Sequence, residues 1–168
     1  LRAMRQSQTY AAAVALRELG YRVRIEPVGA RIAQTVKGYP AAKKLRAGDL
    51  ITSVDGVPVK IPDNLTRILA QHRPGEQIAL RVRRQGKDQQ IVLRAVANPA
   101  DPRKAFVGVE LAEPRVTLPL PVKFDLGQVG GPSAGLAFAL DLVEELGHDV
   151  DHGQRVAATG EIGLDGSV

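Results

Sequence analysis

The spacing of apolar and polar residues changes period repeatedly along the chain, and each change marks an element. Residues 3–19 read as a helix with Tyr10, Ala11, Val14 and Leu16 on its apolar side, and Leu19-Gly20 supplies the stop. Residues 21–26 alternate as a short strand, with Val23 and Ile25 on one face. Strands follow at 32–36, 50–54 and 57–59, with a helical turn at 40–45 and an Asp55-Gly56 hairpin signal between the last two. A helix starting at Pro62 or Asp63 puts Leu65, Ile68 and Leu69 on one side and ends at Arg73-Pro74-Gly75. Residues 77–83 and 89–95 form a hairpin around Gln85-Gly86-Lys87. Strand patterns recur at 106–111, 115–118, 122–124 and 155–162, and an apolar helix spans 136–146.

Composition narrows the picture. A chain of 168 residues holds one ordinary domain or two small ones. With 44% hydrophobic and 24% charged residues it has the balance of a folded protein. No apolar run approaches the roughly 20 residues that a membrane helix needs. The absence of Cys excludes disulfides, thiolate zinc sites and a cysteine nucleophile. With no Trp and few Tyr and Phe, an aromatic base-stacking platform is not expected. Charge is divided: residues 1–27 carry +3, residues 28–97 carry +8 and residues 98–168 carry −6. Such a change of sign marks modules, and Asn98-Pro99-Ala100-Asp101-Pro102 reads as the linker. Arg81, Arg83 and Arg94 alternate with apolar residues as on a solvated sheet face, so no nucleic-acid partner is expected. The sequence opens on Leu1 and stops at Gly166-Ser167-Val168 within a turn signal, which reads as a piece of a longer protein.

The middle block carries Gly38-Tyr39-Pro40-Ala41, then Leu45-Arg46-Ala47-Gly48-Asp49-Leu50-Ile51, then Val54-Asp55-Gly56. With its element order, this resembles the PDZ domains of bacterial proteases over residues 28–96, with Tyr39 where Ser or Asn is usual. Such domains take up an extended peptide as an added strand beside a helix, and amides of the preceding loop receive its terminal carboxylate. The resemblance implies a loop of Gly29, Ala30 and Arg31 and a receiving strand at 32–36 with Ile32 and Gln34. It implies a helix at 64–71 with Asn64 and Ile68 toward the groove. Ile32 and Ile68 can also be read simply as core residues, and for Ile68 the two readings stand level. The expected partners are peptide C-termini with apolar last residues, or the protein's own chain.

The stretch Gly130-Gly131-Pro132-Ser133-Ala134-Gly135 places a serine at the start of the apolar helix. Free backbone amides and the positive end of the helix dipole there can stabilise an oxyanion, given a base to take the Ser133 proton. Ser133 is also a natural helix cap, and the loop a phosphate-binding candidate like that of the GHMP kinases, although no Mg²⁺-binding carboxylate follows at a clear spacing. The stretch resembles the nucleophile motif of Lon-type serine proteases. Thr159-Gly160-Glu161-Ile162-Gly163-Leu164-Asp165-Gly166-Ser167-Val168 resembles that family's second motif. Together with the PDZ pattern, the resemblance implies an ATP-independent Lon-like protease with a Ser-Lys dyad. Gly130 stands where ATP-dependent Lon proteins usually have Asp.

The resemblance implies that Ser133 is the nucleophile, that Thr159 orients the Lys, and that Gly130, Gly131, Pro132 and Ser133 form the oxyanion loop. The dyad Lys belongs just past Val168, so residues 1–168 alone are expected to be inactive. The implied fold class is α+β, a PDZ-like partial β-barrel inserted in or preceding part of a Lon proteolytic domain. Residues 1–27 and 98–168 would form the protease part and 28–97 the PDZ. Substrates would be unfolded proteins or peptides, with no cofactor and no metal, in a parent that is membrane-anchored outside the cytoplasm and assembles as a homo-hexamer. His148 and His152, with Asp149 and Asp151, lie on a loop without helical periodicity and read as solvated rather than as ligands, and so does His72. A non-catalytic PDZ adaptor is the alternative.

Overall fold

A computed structural model of the chain describes residues 2–124, 132–153 and 157–168. The chain separates into two units, Glu26–Arg115 and a second formed by Leu1–Ile25 with Val116–Val168.

The central unit is built on a sheet of β2 (Ala30–Thr35), β3 (Leu50–Val54), β4 (Val57–Pro58), β5 (Gln77–Arg84), β6 (Lys87–Arg94) and β9 (Val109–Leu111). The spatial order is β6-β5-β3-β2-β9, with β4 paired to β3. Every pairing is antiparallel. Both hairpin turns have the left-handed backbone that their Asp-Gly and Gln-Gly pairs permit: φ is +48° and +83° at Asp55 and Gly56, and +50° and +78° at Gln85 and Gly86. Alternation in β5 sends Ile78, Leu80 and Val82 into the core, where they meet Ile32, Ile51, Val54 and Leu93. Helix α2 (Pro62–Leu69) adds Leu65 and Ile68 to that core. The short strands β7 (Val96–Ala97) and β8 (Ala105–Phe106) pair with each other and bring the 98–104 segment back against the unit.

Asp49 is the buried charge of this unit, 2% exposed. Its carboxylate accepts the Arg46 amide at 2.9 Å and two bonds from the Arg84 guanidinium at 2.7 and 2.8 Å. A turn carboxylate is thus satisfied by its own loop and by one fork-shaped partner.

In the other unit, α1 (Arg2–Glu18) packs Ala11, Ala12, Ala15 and Leu16 against Phe138, Ala139 and Leu142 of α3 (Gly135–Glu145). β1 (Arg24–Glu26) pairs with β10 (Arg115–Thr117). Two expected strands differ. Residues 122–124 are irregular, and 157–162 form no ladder, residues 154–156 lying outside the described ones. The backbone of Gly160 is spent on the start of α3, its amide donating to the Ser133 carbonyl and its carbonyl accepting the Leu136 amide. No helix among the described residues is long and apolar enough to cross a membrane.

Candidate functional site

The expected strand at 106–111 is broken in two at Gly108, and the break makes a site. Gly108 has φ +83°, and a Cβ there would overlap the Tyr39 side chain. Tyr39 is held in turn by an edge-on contact with Phe106, ring centroids 4.9 Å apart. The Val107 carbonyl accepts the Ala41 amide and the Gly108 carbonyl accepts the Val36 amide, both at 2.9 Å. The loop is therefore pinned through its carbonyls. Among the described residues, the Val107 and Gly108 amides donate no hydrogen bond. Next in sequence comes β9, the last strand of its sheet, paired with β2 on one side only.

Between that free edge and α2 lies a cavity of about 300 Å³. Leu65, Leu69 and Ala70 line it from the helix, and Phe106, Val109 and Leu111 from the strand side. Lys104 is its only charged lining residue among the described residues, countered by Asp101 at the long distance of 3.8 Å. An open strand edge, an apolar trough and amides beside a cation are what an extended peptide ending in a carboxylate requires.

None of the residues expected at the groove lines this cavity. β2 is an interior strand: it pairs with β3 through Ala30 and Arg31 and with β9 from Ile32 to Thr35, so it has no edge to offer. Gly29 is a close crossing, its amide bonded to the Lys60 carbonyl and its α-carbon against Ile51 and Leu50. Ala30 and Ile32 are core, Arg31 donates to the Gly48 carbonyl, and Gln34 pairs with Glu110. Asn64 caps α2 by accepting the Lys60 and Ile61 amides. Ile68 is buried in the core. The missed signal is the aromatic–aliphatic–glycine–aliphatic run Phe106-Val107-Gly108-Val109, which follows the linker instead of opening the block. His72 is not merely solvated: its ring nitrogens lie 3.2 Å from Asp55 and 3.3 Å from Glu76.

Ser133 lies in the turn Pro132–Ala134 that leads into α3 and is exposed. It is not the helix cap. Ala134 occupies that position without a side-chain bond, and among the described residues the Ser133 hydroxyl has no partner. The Ser133 carbonyl accepts the Gly160 amide at 2.7 Å and the Thr159 hydroxyl at 3.3 Å. The two sequence motifs thus abut. Gly135 lets them do so, since a Cβ there would come within 2.8 Å of Ser7 Oγ and 3.0 Å of Ile162 Cγ2. Gly130 and Gly131 lie outside the described residues.

Glu144, Asp149 and Asp151 bring carboxylate oxygens within 4.8 Å of one another. These three carboxylates accept the Val150, His152 and Gly153 amides, respectively, so they shape the loop after α3.

Residues 17–94 match the family model of the PDZ domain. The match ends before β9, the strand that completes the groove. A probable periplasmic serine endoprotease, DegP-like, from Brucella suis is 41% identical over 81 residues, which are 48% of this chain and 16% of that protein. Its counterpart from Pseudomonas putida is 34% identical over 86 residues, 51% of this chain and 18% of that protein. The chain therefore spans less than a fifth of the length of these relatives, and they are of the DegP kind, not the Lon kind. The PDZ domain of an SdrC-like protein from Listeria monocytogenes is 22% identical, with a TM-score of 0.47, over 52% of this chain and 92% of that one. With its sheet, its α2 trough and its match to the family model over residues 17–94, the central unit has a PDZ-like fold.

Proposed function

We propose that this chain is the PDZ-bearing part of an ATP-independent, Lon-like serine endopeptidase acting on unfolded proteins or peptides outside the cytoplasm. The PDZ groove takes extended C-terminal segments, and Ser133 is the nucleophile. The observation that carries the protease reading is the pair of hydrogen bonds that Thr159 Oγ1 and the Gly160 amide donate to the Ser133 carbonyl. It joins the two resembling motifs at one point and leaves the Ser133 hydroxyl facing solvent. In the reaction, Ser133 Oγ attacks the scissile carbonyl while its proton passes to a Lys supplied after Val168. That proton then goes to the leaving amine, and water releases the acyl group. The Ser133 amide and the positive end of α3 stabilise the oxyanion. The Lon resemblance also implies a membrane anchor and a hexameric ring for the longer protein. The periplasmic setting agrees with the names of the DegP-like relatives.

The test is cleavage of an unfolded protein by a version extended past Val168, beside its Ser133→Ala variant. Cleavage is expected to fall at least about a thousandfold in the variant, the scale on which removing a nucleophile acts. Equal cleavage by the two would sink the protease reading.

A PDZ adaptor is the second reading, favoured because, among the described residues, those lining the groove all lie between Leu65 and Leu111. For both readings, isothermal titration should find a peptide with a free C-terminal carboxylate and apolar last residue binding at least about tenfold tighter than its amide. Equal affinity would mean that the loop amides and Lys104 receive no carboxylate.

A further inference from the structure

Helix α2 supplies one wall of the trough, and the turn that ends it carries a histidine between two carboxylates. Leu69 and Ala70 line the trough, and His72 follows two residues on, its amide bonded to the Leu69 carbonyl at 3.1 Å. The His72 side chain is only 19% exposed. Its Nε2 lies 3.2 Å from Asp55 Oδ2 in the turn between β3 and β4. Its Nδ1 lies 3.3 Å from Glu76 Oε2, just before β5. Both carboxylates are themselves held in place. Asp55 Oδ1 accepts the Ala79 amide at 2.7 Å, and Glu76 Oε2 also accepts the Arg73 amide at 3.1 Å. The cations of these segments are Arg73, beside Glu76, and Arg94 of β6, whose guanidinium bonds the Gly75 carbonyl at 3.0 Å. The Arg73 amide first, and then His72, hold the Glu76 carboxyl below its ordinary 4.5 against the opposing effect of burial.

We infer that His72 is a proton-operated clamp on the groove. With both ring nitrogens protonated, it ties the end of α2 to the β3–β4 turn and to the start of β5, and the trough is then shaped for its peptide. This deepens the groove reading and rests on it. The physical reason is the number of donors. A neutral imidazole has one N–H and one lone pair, so between two carboxylates it bonds one and turns its lone pair toward the other. The imidazolium has two N–H groups and bonds both, each bond charge-assisted. Imidazoles gain and lose that second proton between about pH 5 and 8. Loss of one anchor loosens the end of α2, and with it the wall made by Leu69 and Ala70. A peptide that must order its own groove binds more weakly. Uptake is therefore stronger at the acid end of this range.

The test is isothermal titration of residues 1–168 at about pH 5.5 and about pH 8. The probe is an N-acetylated peptide without histidine that ends in an apolar residue and a free carboxylate, so its own charge is constant over that range. Affinity should fall roughly 3- to 10-fold toward the higher pH, in step with the His72 ring resonances in NMR. His72→Gln keeps a neutral donor and should bind equally at both pH values, at the affinity of the unmodified chain at the higher pH. Glu76→Gln keeps an acceptor for the Arg73 amide and should flatten the pH dependence as well. Affinity independent of pH in the unmodified chain, or a pH dependence that persists in His72→Gln, overturns the inference. If no peptide binds at either pH, the groove reading has failed, and amide exchange then decides the clamp by itself. Relative to intrinsic rates, protection of the Gln71 and His72 amides should drop toward the higher pH in the unmodified chain but not in His72→Gln. Equal protection in the two would overturn the clamp.

Discussion

Replacing Gly108 by alanine should destabilise the PDZ unit by about 3 kcal/mol and abolish peptide binding in the groove. Two effects act together. A φ of +83° is costly for any residue with a Cβ, and the new methyl would overlap the Tyr39 side chain. Tyr39 cannot swing away freely, because its ring is edge-on to Phe106. Relief requires the 106–108 loop to move, and that loop holds the two free amides. Gly38 supplies the control: its φ is +90°, and a Cβ there would meet nothing within 4 Å. Gly38→Ala should cost only about 1 kcal/mol, from backbone strain, and leave peptide affinity near wild type. Chemical denaturation and titration of both variants check this. Equal effects at the two positions would show that Tyr39 gives way.

Asp49→Ala should cost about 3 kcal/mol, since it leaves the half-buried Arg84 guanidinium without its carboxylate, with only the Lys44 carbonyl to accept from it, and the Arg46 amide without its acceptor. The same carboxylate makes stability depend on pH. Burial alone pushes the Asp49 carboxyl up, but the bonds from Arg84 and the Arg46 amide, with both positive charges, outweigh it and hold the carboxyl below its ordinary 3.8. The folded value thus lies below the unfolded one. The contribution is whole above the unfolded value and drains away as pH falls through the folded one. Melting temperature should therefore drop below pH 3.8 more steeply in the unmodified chain than in Asp49→Ala. Parallel curves would mean that Asp49 is not a principal acid-sensitive group of this domain.

Much of the fold is legible from local sequence because local terms dominate there. Asp55-Gly56 and Gln85-Gly86 turn the chain where only such pairs fit well. Leu65 is legible as a core residue from its helical spacing, whereas the same spacing leaves Ile68 open between groove and core and only the structure buries it. Ala47-Gly48-Asp49 is legible as a turn, though not Arg84 as the partner of Asp49, 35 residues away. At the second site, the motif spacing points to Ser133 and Thr159, and the structure brings the Thr159 hydroxyl to the Ser133 carbonyl.

The groove was misplaced because a strand's own residues do not say which neighbour it will have. Residues 30–35 read the same whether they form an edge or an interior strand, and it is β9, arriving after the 98–104 segment, that covers them. The described part of the expected strand at 155–162, residues 157–162, forms no ladder for a related reason, since Gly160 spends its backbone groups on the start of α3. The sequence by itself determined the turns, the helices, the apolar faces and the two motifs, all matters of neighbours a few residues apart. Tertiary structure alone decided which strand keeps a free edge, which amides stay unpaired and which helix backs Ser133. Those outcomes depend on hydrogen bonds and packing between residues far apart in the chain, where each backbone group has many possible partners and only the assembled core selects one.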